Sequence, residues 1–227
     1  MNKYINALIR GILAGIAISF GGYLCLRTNA VTNNTILGSF LFSFGLILIC
    51  NFNFNLYTGK VCYLFESNEY TADYKLTTKI LCLAIILLGN LIGTLFFANV
   101  LRLVMADNAI NLKVIETLSS SVNNKINYKW YQMIGLSFFC GMLVYIAVEG
   151  FKKIENNFGK YVVLILAIGG FIIMGFEHSI ANMFYYFLSG NYTLAAFLSL
   201  LLCIVGNSVG GLFIPLLNKL TNNIKLS

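Results

Sequence analysis

Gly175–Phe187, GFEHSIANMFYYF, sets two ionisable side chains, Glu177 and His178, near the middle of an apolar run from Val162 to Leu188. The run reads as membrane-spanning, and an ionisable group at membrane depth is costly, so it marks a pathway or a pairing site. His178 is the single histidine of the chain. A lone buried histidine can also be nothing more than a satisfied hydrogen-bonding group, with a glutamate that holds it. The surrounding sequence bears on that choice.

Of the 227 residues, 59% are apolar and 10% charged, and the mean hydropathy is +0.81. Soluble domains carry roughly 25% charged residues. The composition is that of an integral membrane protein, with room for about six spans of ~20 residues joined by short loops. The net charge of +7 does not imply nucleic acid, because Lys and Arg gather in the cytoplasmic loops of membrane proteins. Cys25, Cys50, Cys62, Cys82, Cys140 and Cys203 are scattered singly through apolar sequence. They show neither a disulfide framework nor metal-ligand spacing and read as small buried hydrophobes, so no metal or other cofactor is expected. The N-terminus lacks a small-residue cleavage site, so the first span is expected to be retained.

Six apolar segments follow one another: Ala7–Leu26, Ile36–Phe65, Leu76–Val104, Trp130–Phe151, Val162–Leu188 and Leu194–Leu217. Span 1 carries Gly11, Ala14, Gly15, Ile18 and Gly22 on one face, a pattern suited to close helix packing. Span 2 is interrupted by NFNFNLYTG (Asn51–Gly59) and span 5 by the Glu-His stretch. Met105–Lys129 is the longest polar stretch. Six spans place the two termini and the loops after spans 2 and 4 on one side. That side holds Lys3, Arg10, Lys60, Lys75, Lys79, Lys152, Lys153, Lys160, Lys219 and Lys225, against Arg27, Arg102, Lys113, Lys125 and Lys129 on the other. The bias assigns both termini to the cytoplasm.

An internal repeat is visible. Gly89-Asn-Leu-Ile-Gly-Thr-Leu-Phe matches Gly206-Asn-Ser-Val-Gly-Gly-Leu-Phe, and Asn55-Leu-Tyr-Thr-Gly-Lys takes the place of Glu177-His-Ser-Ile-Ala-Asn. The expected fold is therefore one all-α transmembrane domain, residues 1–227. It comprises two inverted three-helix repeats, about 1–104 and about 130–217, with helices 2 and 5 broken. Matched broken helices in inverted repeats point to a transport site near the midplane.

Each break leaves a half-helix whose positive end faces inward, an arrangement that favours an anion. Thr58 offers a hydroxyl in the first break. His178 offers a ring nitrogen in the second, which shares or donates a proton to an anion there, and Glu177 would orient or tune it. Capping is expected of both beside that role: Thr58 capping a helix that starts at Gly59, and Glu177 pairing with a free backbone amide. Phe42 and Leu46 share a face one turn apart, and Phe171 stands two turns before His178. Apolar rings flanking a polar centre repel hydrated ions.

GFEHSIANMF, the LYTG break, GILAGIAISFG of span 1 and the paired GN-x-x-G segments together resemble the formate–nitrite transporter family of formate, nitrite and hydrosulfide channels. The resemblance covers nearly the whole chain. It implies an aquaporin-like fold and a homopentamer in a prokaryotic plasma (inner) membrane, with one pore per protomer. The permeants would be small monovalent anions or their protonated acids, with protons as possible companions. It places Thr58 opposite His178, constrictions at Phe42, Leu46, Phe171 and the Leu56–Tyr57 pair, Asn207 on span 6, and Lys125 before span 4. Lys60 stands where the family has a small or amide residue. Asn55 replaces a common acidic residue, and Cys140-Gly141 replaces a Cys-Asn pair. The loss of that asparagine near the pore leans toward the hydrosulfide branch.

A neutral-solute channel of the water or glycerol type would share the shape, but the Asn-Pro-Ala pair is missing, since Pro215 is the only proline. An enzyme using His178 and Glu177 as acid and base would lack a nucleophile or metal set. No enzymatic activity is expected.

Overall fold

The computed structural model describes residues 2–65 and 75–223. Residues 66–74 of the loop between spans 2 and 3, and Lys225 of the cytoplasmic-side lysines, lie outside the described residues. Ten helices follow in order among them: α1 Lys3–Thr32, α2 Thr35–Leu41, α3 Ser43–Phe52, α4 Tyr57–Val61, α5 Leu76–Val104, α6 Ala109–Ile126, α7 Trp130–Lys153, α8 Asn157–Ile173, α9 Ser179–Ser189 and α10 Leu194–Asn223. The all-α expectation holds. Five segments, α1, α2–α3 together, α5, α7 and α10, are long and apolar enough to cross a membrane. The sixth span is the broken pair α8 and α9.

The breaks fall where the backbone chemistry allows them. Helix α3 stops at Asn53, which adopts the left-handed conformation at φ 53°. Asparagine tolerates that region better than most side chains. Helix α8 stops at Met174, and the chain turns through Gly175 at φ 71°, where a Cβ would be strained. Span 2 also hinges at Phe42, which closes α2 and opens α3.

The two halves repeat one another. Helix α1 packs most extensively on α5, and α7 on α10. Glycines let these backbones meet. A Cβ on Gly89 would come 2.6 Å from the Leu8 carbonyl oxygen, and one on Gly206 would come 2.6 Å from that of Ile134. The small-residue face of span 1 is buried as expected, Gly11, Ala14, Gly15, Ile18 and Gly22 included. The early part of α1 and the later part of α10 both lie beside the first break. Arg10 near the start of α1 donates to the Asn53 carbonyl, and Ile214 near the end of α10 packs on the Val61–Tyr63 cluster beyond α4.

The polar stretch Met105–Lys129, to which the sequence reading assigned no element, contains the 18-residue helix α6, which buries Val114, Leu118 and Val122 along one stripe. One expectation is corrected. Gly141 does not mark a polar group missing from the pore. It lies against α10, where a Cβ would collide with the Asn207 carbonyl. A side chain there would open the α7–α10 seam, so the position carries no argument for hydrosulfide.

The outer surface of the bundle is apolar, with Phe96, Leu103 and Leu166 more than half exposed. A helix surface of this kind is at home in hydrocarbon or against another copy of the chain.

Candidate functional site

Two buried asparagines hold the half-helices. The Asn90 side chain on α5 accepts from the Tyr57 N–H at 2.9 Å and donates to the carbonyls of Gly11 (2.8 Å) and Asn55 (2.9 Å). The Asn207 side chain on α10 accepts from the Ser179 N–H at 2.8 Å and donates to those of Ser137 (2.8 Å) and Glu177 (2.9 Å). Each amide thus closes one tip, satisfying the first N–H of the half-helix and the carbonyl two residues before it. Irregular backbone at membrane depth requires such substitution of its lost partners. Asn207 was among the residues singled out in the sequence. Asn90 was not, although the repeat sets it on Asn207.

The capping expectations for Thr58 and Glu177 are overturned. Thr58 lies inside α4, whose cap residue is Leu56 and which has no side-chain cap. The cap of α9 is His178, whose Nδ1 accepts from the Ala181 N–H at 3.2 Å. The other ring nitrogen, Nε2, lies 2.8 Å from Thr58 Oγ1. Because Nδ1 is the acceptor, the tautomer that serves both contacts is the neutral ring with its hydrogen on Nε2, donating to Thr58. The Thr58 hydroxyl hydrogen is then directed elsewhere. Thr58 is fully buried and His178 3% exposed.

Apolar rings stand next to this pair. Phe171 stacks on His178 with ring centroids 5.9 Å apart, and Phe42 meets Phe171 edge-on at 6.0 Å. Leu46, one turn beyond Phe42, is 1% exposed, and Leu56 is 2% exposed. Tyr57 departs from the expected apolar role at one point, since its hydroxyl lies 2.9 Å from Ser208 Oγ.

Two cavities open at opposite ends of α1. The first, about 330 Å³, is bounded by Phe42, Phe171 and His178 and, farther out, by Glu177, Lys125 and Tyr128. The second, about 180 Å³, is bounded by Leu56 and Gly59, with Lys60, Tyr63 and Lys152 at its sides. Thr58 and Leu46 border neither. The sealed stretch around the Thr58–His178 pair separates the cavities.

The charges are distributed unequally. Lys125 Nζ reaches both oxygens of Glu177 at 2.6 Å, and Asn182 Nδ2 donates to the same carboxylate at 2.8 Å. Glu177 is therefore spent on Lys125 and Asn182, and its carboxylate does not hold the imidazole. Lys60 at the other cavity has no carboxylate within ion-pairing distance among the described residues. The Lys152 ammonium sits 3.6 Å over the ring of Tyr63, whose hydroxyl donates to Glu149 at 2.6 Å. Lys152 and Asn182 were not singled out in the sequence, and only the repeat match of Asn182 with Lys60 pointed toward one of them.

Comparison with known proteins gives a consistent result. A family model described as formate/nitrite transporter matches residues 2–220. The chain is 28% identical to the formate channel FocA of Haemophilus influenzae, over 78% of this chain and 64% of that protein. It is 27% identical to the formate channel FocA of Escherichia coli (strain K12), over 81% and 65%, and 25% identical to the uncharacterized transporter YrhG of Bacillus subtilis, over 91% and 80%. The chain thus spans slightly less than two thirds of the length of these formate channels. Its fold matches that of a pentameric formate channel with formate bound at a TM-score of 0.82, with 23% identity, covering 96% of this chain and 97% of that one. An FNT family ion channel matches at 0.76 with 20% identity, covering 97% and 90%.

Proposed function

The chain belongs to the formate/nitrite transporter family, and on that premise we propose that it is a channel for small monovalent anions, formate, nitrite or hydrosulfide, or their protonated acids. The observation that carries the proposal is the Thr58–His178 hydrogen bond, sealed between two lysine-bearing cavities at opposite ends of the bundle. Lys60 and Lys152 beside the second cavity concentrate anions there, whereas Lys125 at the first is paired with Glu177. A bare anion pays heavily to leave water for the apolar stretch at Phe42, Leu46, Phe171 and Leu56. Combination with a proton from water lets it cross as the neutral acid. At the centre the Thr58 hydroxyl and the His178 Nε2–H form a chain of donors aimed from the ring outward. In this reading His178 shares its single ring hydrogen and keeps it, because releasing it would leave an imidazolate. Asn207 acts at one remove, holding the tip that carries His178.

The working unit is the single domain of two repeats, assembled as a homopentamer with a path through each protomer. It lies in a prokaryotic plasma membrane with both termini in the cytoplasm. The similar fold of a pentameric channel and the apolar outer surface support the assembly, and the lysine bias supports the orientation.

Flux into proteoliposomes tests the function. Formate, nitrite and hydrosulfide are compared with glycerol between about pH 5 and pH 8. Uptake of one or more anions that rises as pH falls, without glycerol flux, is the expected result. Glycerol passage without anion passage would overturn the reading.

A further inference from the structure

The tip of α9 contains a polar atom that the scaffold does not use. Ser179 is the first residue of α9 and is 0% exposed, yet its hydroxyl is the one buried side-chain polar atom without a hydrogen-bond partner among the described residues. Everything around it is committed. Its own N–H goes to Asn207, the Ala181 N–H to His178 Nδ1, and His178 Nε2 to Thr58. A buried hydroxyl without a partner is destabilising, and native proteins leave few of them.

The other half supplies the contrast. Tyr57 is the first residue of α4 and the repeat counterpart of Ser179, and its N–H is held by Asn90 as that of Ser179 is by Asn207. Its hydroxyl is paired with Ser208 Oγ at 2.9 Å. Both half-helices therefore begin with a hydroxyl, and only the one beside His178 is left unpaired. Serine can also satisfy itself by bonding back to the preceding turn of a helix. At the first helical position no such turn exists.

We infer that the Ser179 hydroxyl is a binding residue for the permeant, donating a hydrogen bond to the anion, or exchanging one with its acid, as it passes the Thr58–His178 pair. The inference rests on the anion-channel reading above. It adds a third hydroxyl or ring donor to the centre and explains why an amide-capped tip retains a serine that stabilises nothing. The ligand class is a small anion with an accessible oxygen or sulfur lone pair. A neutral solute with no comparable acceptor would not need the group.

The test is Ser179→Ala in the full chain, purified and placed in proteoliposomes beside the parent protein. Thermal unfolding is measured on the same samples. Formate flux is expected to fall about threefold to tenfold, the range of one lost hydrogen bond, while the unfolding temperature stays equal or rises. Ser179→Cys, which keeps a weak S–H donor in a similar volume, should recover part of the flux. A parent protein that passes none of the three anions would defeat the channel reading itself. With a conducting parent, unchanged flux in Ser179→Ala overturns the role of Ser179. Lowered flux together with a lower unfolding temperature also overturns it, since the hydroxyl would then be structural.

Discussion

The two broken spans share a frame and differ in chemistry. At the tip of α4 an asparagine on α5 closes the backbone, and the cap residue is the apolar Leu56. At the tip of α9 an asparagine on α10 does the same, and the cap residue is His178. One residue earlier, Asn55 stands where the second half has Glu177, and three residues past the tip-opening residue Lys60 stands where it has Asn182. Among the described residues Lys60 in the first half has no carboxylate partner, whereas Glu177 in the second is buried and paired with Lys125 of α6. The lesson is that the repeat conserves the means of breaking a helix inside a membrane, while ring, carboxylate and ammonium are placed separately in each copy.

The comparison is broken most severely by removing the frame. Asn207→Leu strands the Ser179 N–H, at about 1–3 kcal/mol, and removes one bond from each of two carbonyls, at about 1 kcal/mol apiece, so a loss of about 3–5 kcal/mol is expected. Asn90→Leu strands the same set in the first half and should cost as much. Thermal unfolding in detergent measures both, and a large difference between them would end the claim of an equivalent frame. Lys125→Met comes next. It leaves Glu177 buried without its cation, a loss of about 3 kcal/mol. Glu177→Gln added to it should recover most of that stability, because Asn182 can still hold the amide.

Function should respond where the halves differ. Asparagine is a good helix cap, so His178→Asn should keep α9 capped and the protein folded. It removes the Nε2 donor, and anion flux is expected to drop about tenfold, the effect of ~1.4 kcal/mol at the barrier. Unchanged flux and unchanged pH dependence would remove His178 from the site. The smallest effect belongs to Lys60→Met. Loss of one exposed charge at a mouth should lower flux about twofold to threefold at low salt and hardly at all at high salt. Equal effects at both salt concentrations would show that Lys60 does more than attract.

Much of this was legible in the sequence because it is local. The breaks announce themselves as polar residues inside apolar runs, the helix seams as glycine spacing, and the halves as repeated GN-x-x-G and tip segments. Helix α6 was missed because its composition is polar, although Val114, Leu118 and Val122 keep a spacing of four. The Lys125–Glu177 pair crosses 52 residues of chain, and no local pattern encodes which lysine reaches a given carboxylate. The cap at α9 was assigned to the wrong side chain for a related reason. A threonine is a common cap by type and a carboxylate an acceptor for free amides, but Thr58 sits two residues past the cap of α4 and Glu177 one residue before that of α9, leaving His178 at the position that faces the amide of Ala181.

The paired asparagines have a consequence for the tips. Each one fastens the main chain and ignores which side chain the tip presents, so residues 55–60 and 177–182 behave as exchangeable inserts in a duplicated socket. One insert can therefore carry an imidazole and the other an ammonium on the same amide-held backbone, with neither side chain needed to form the tip.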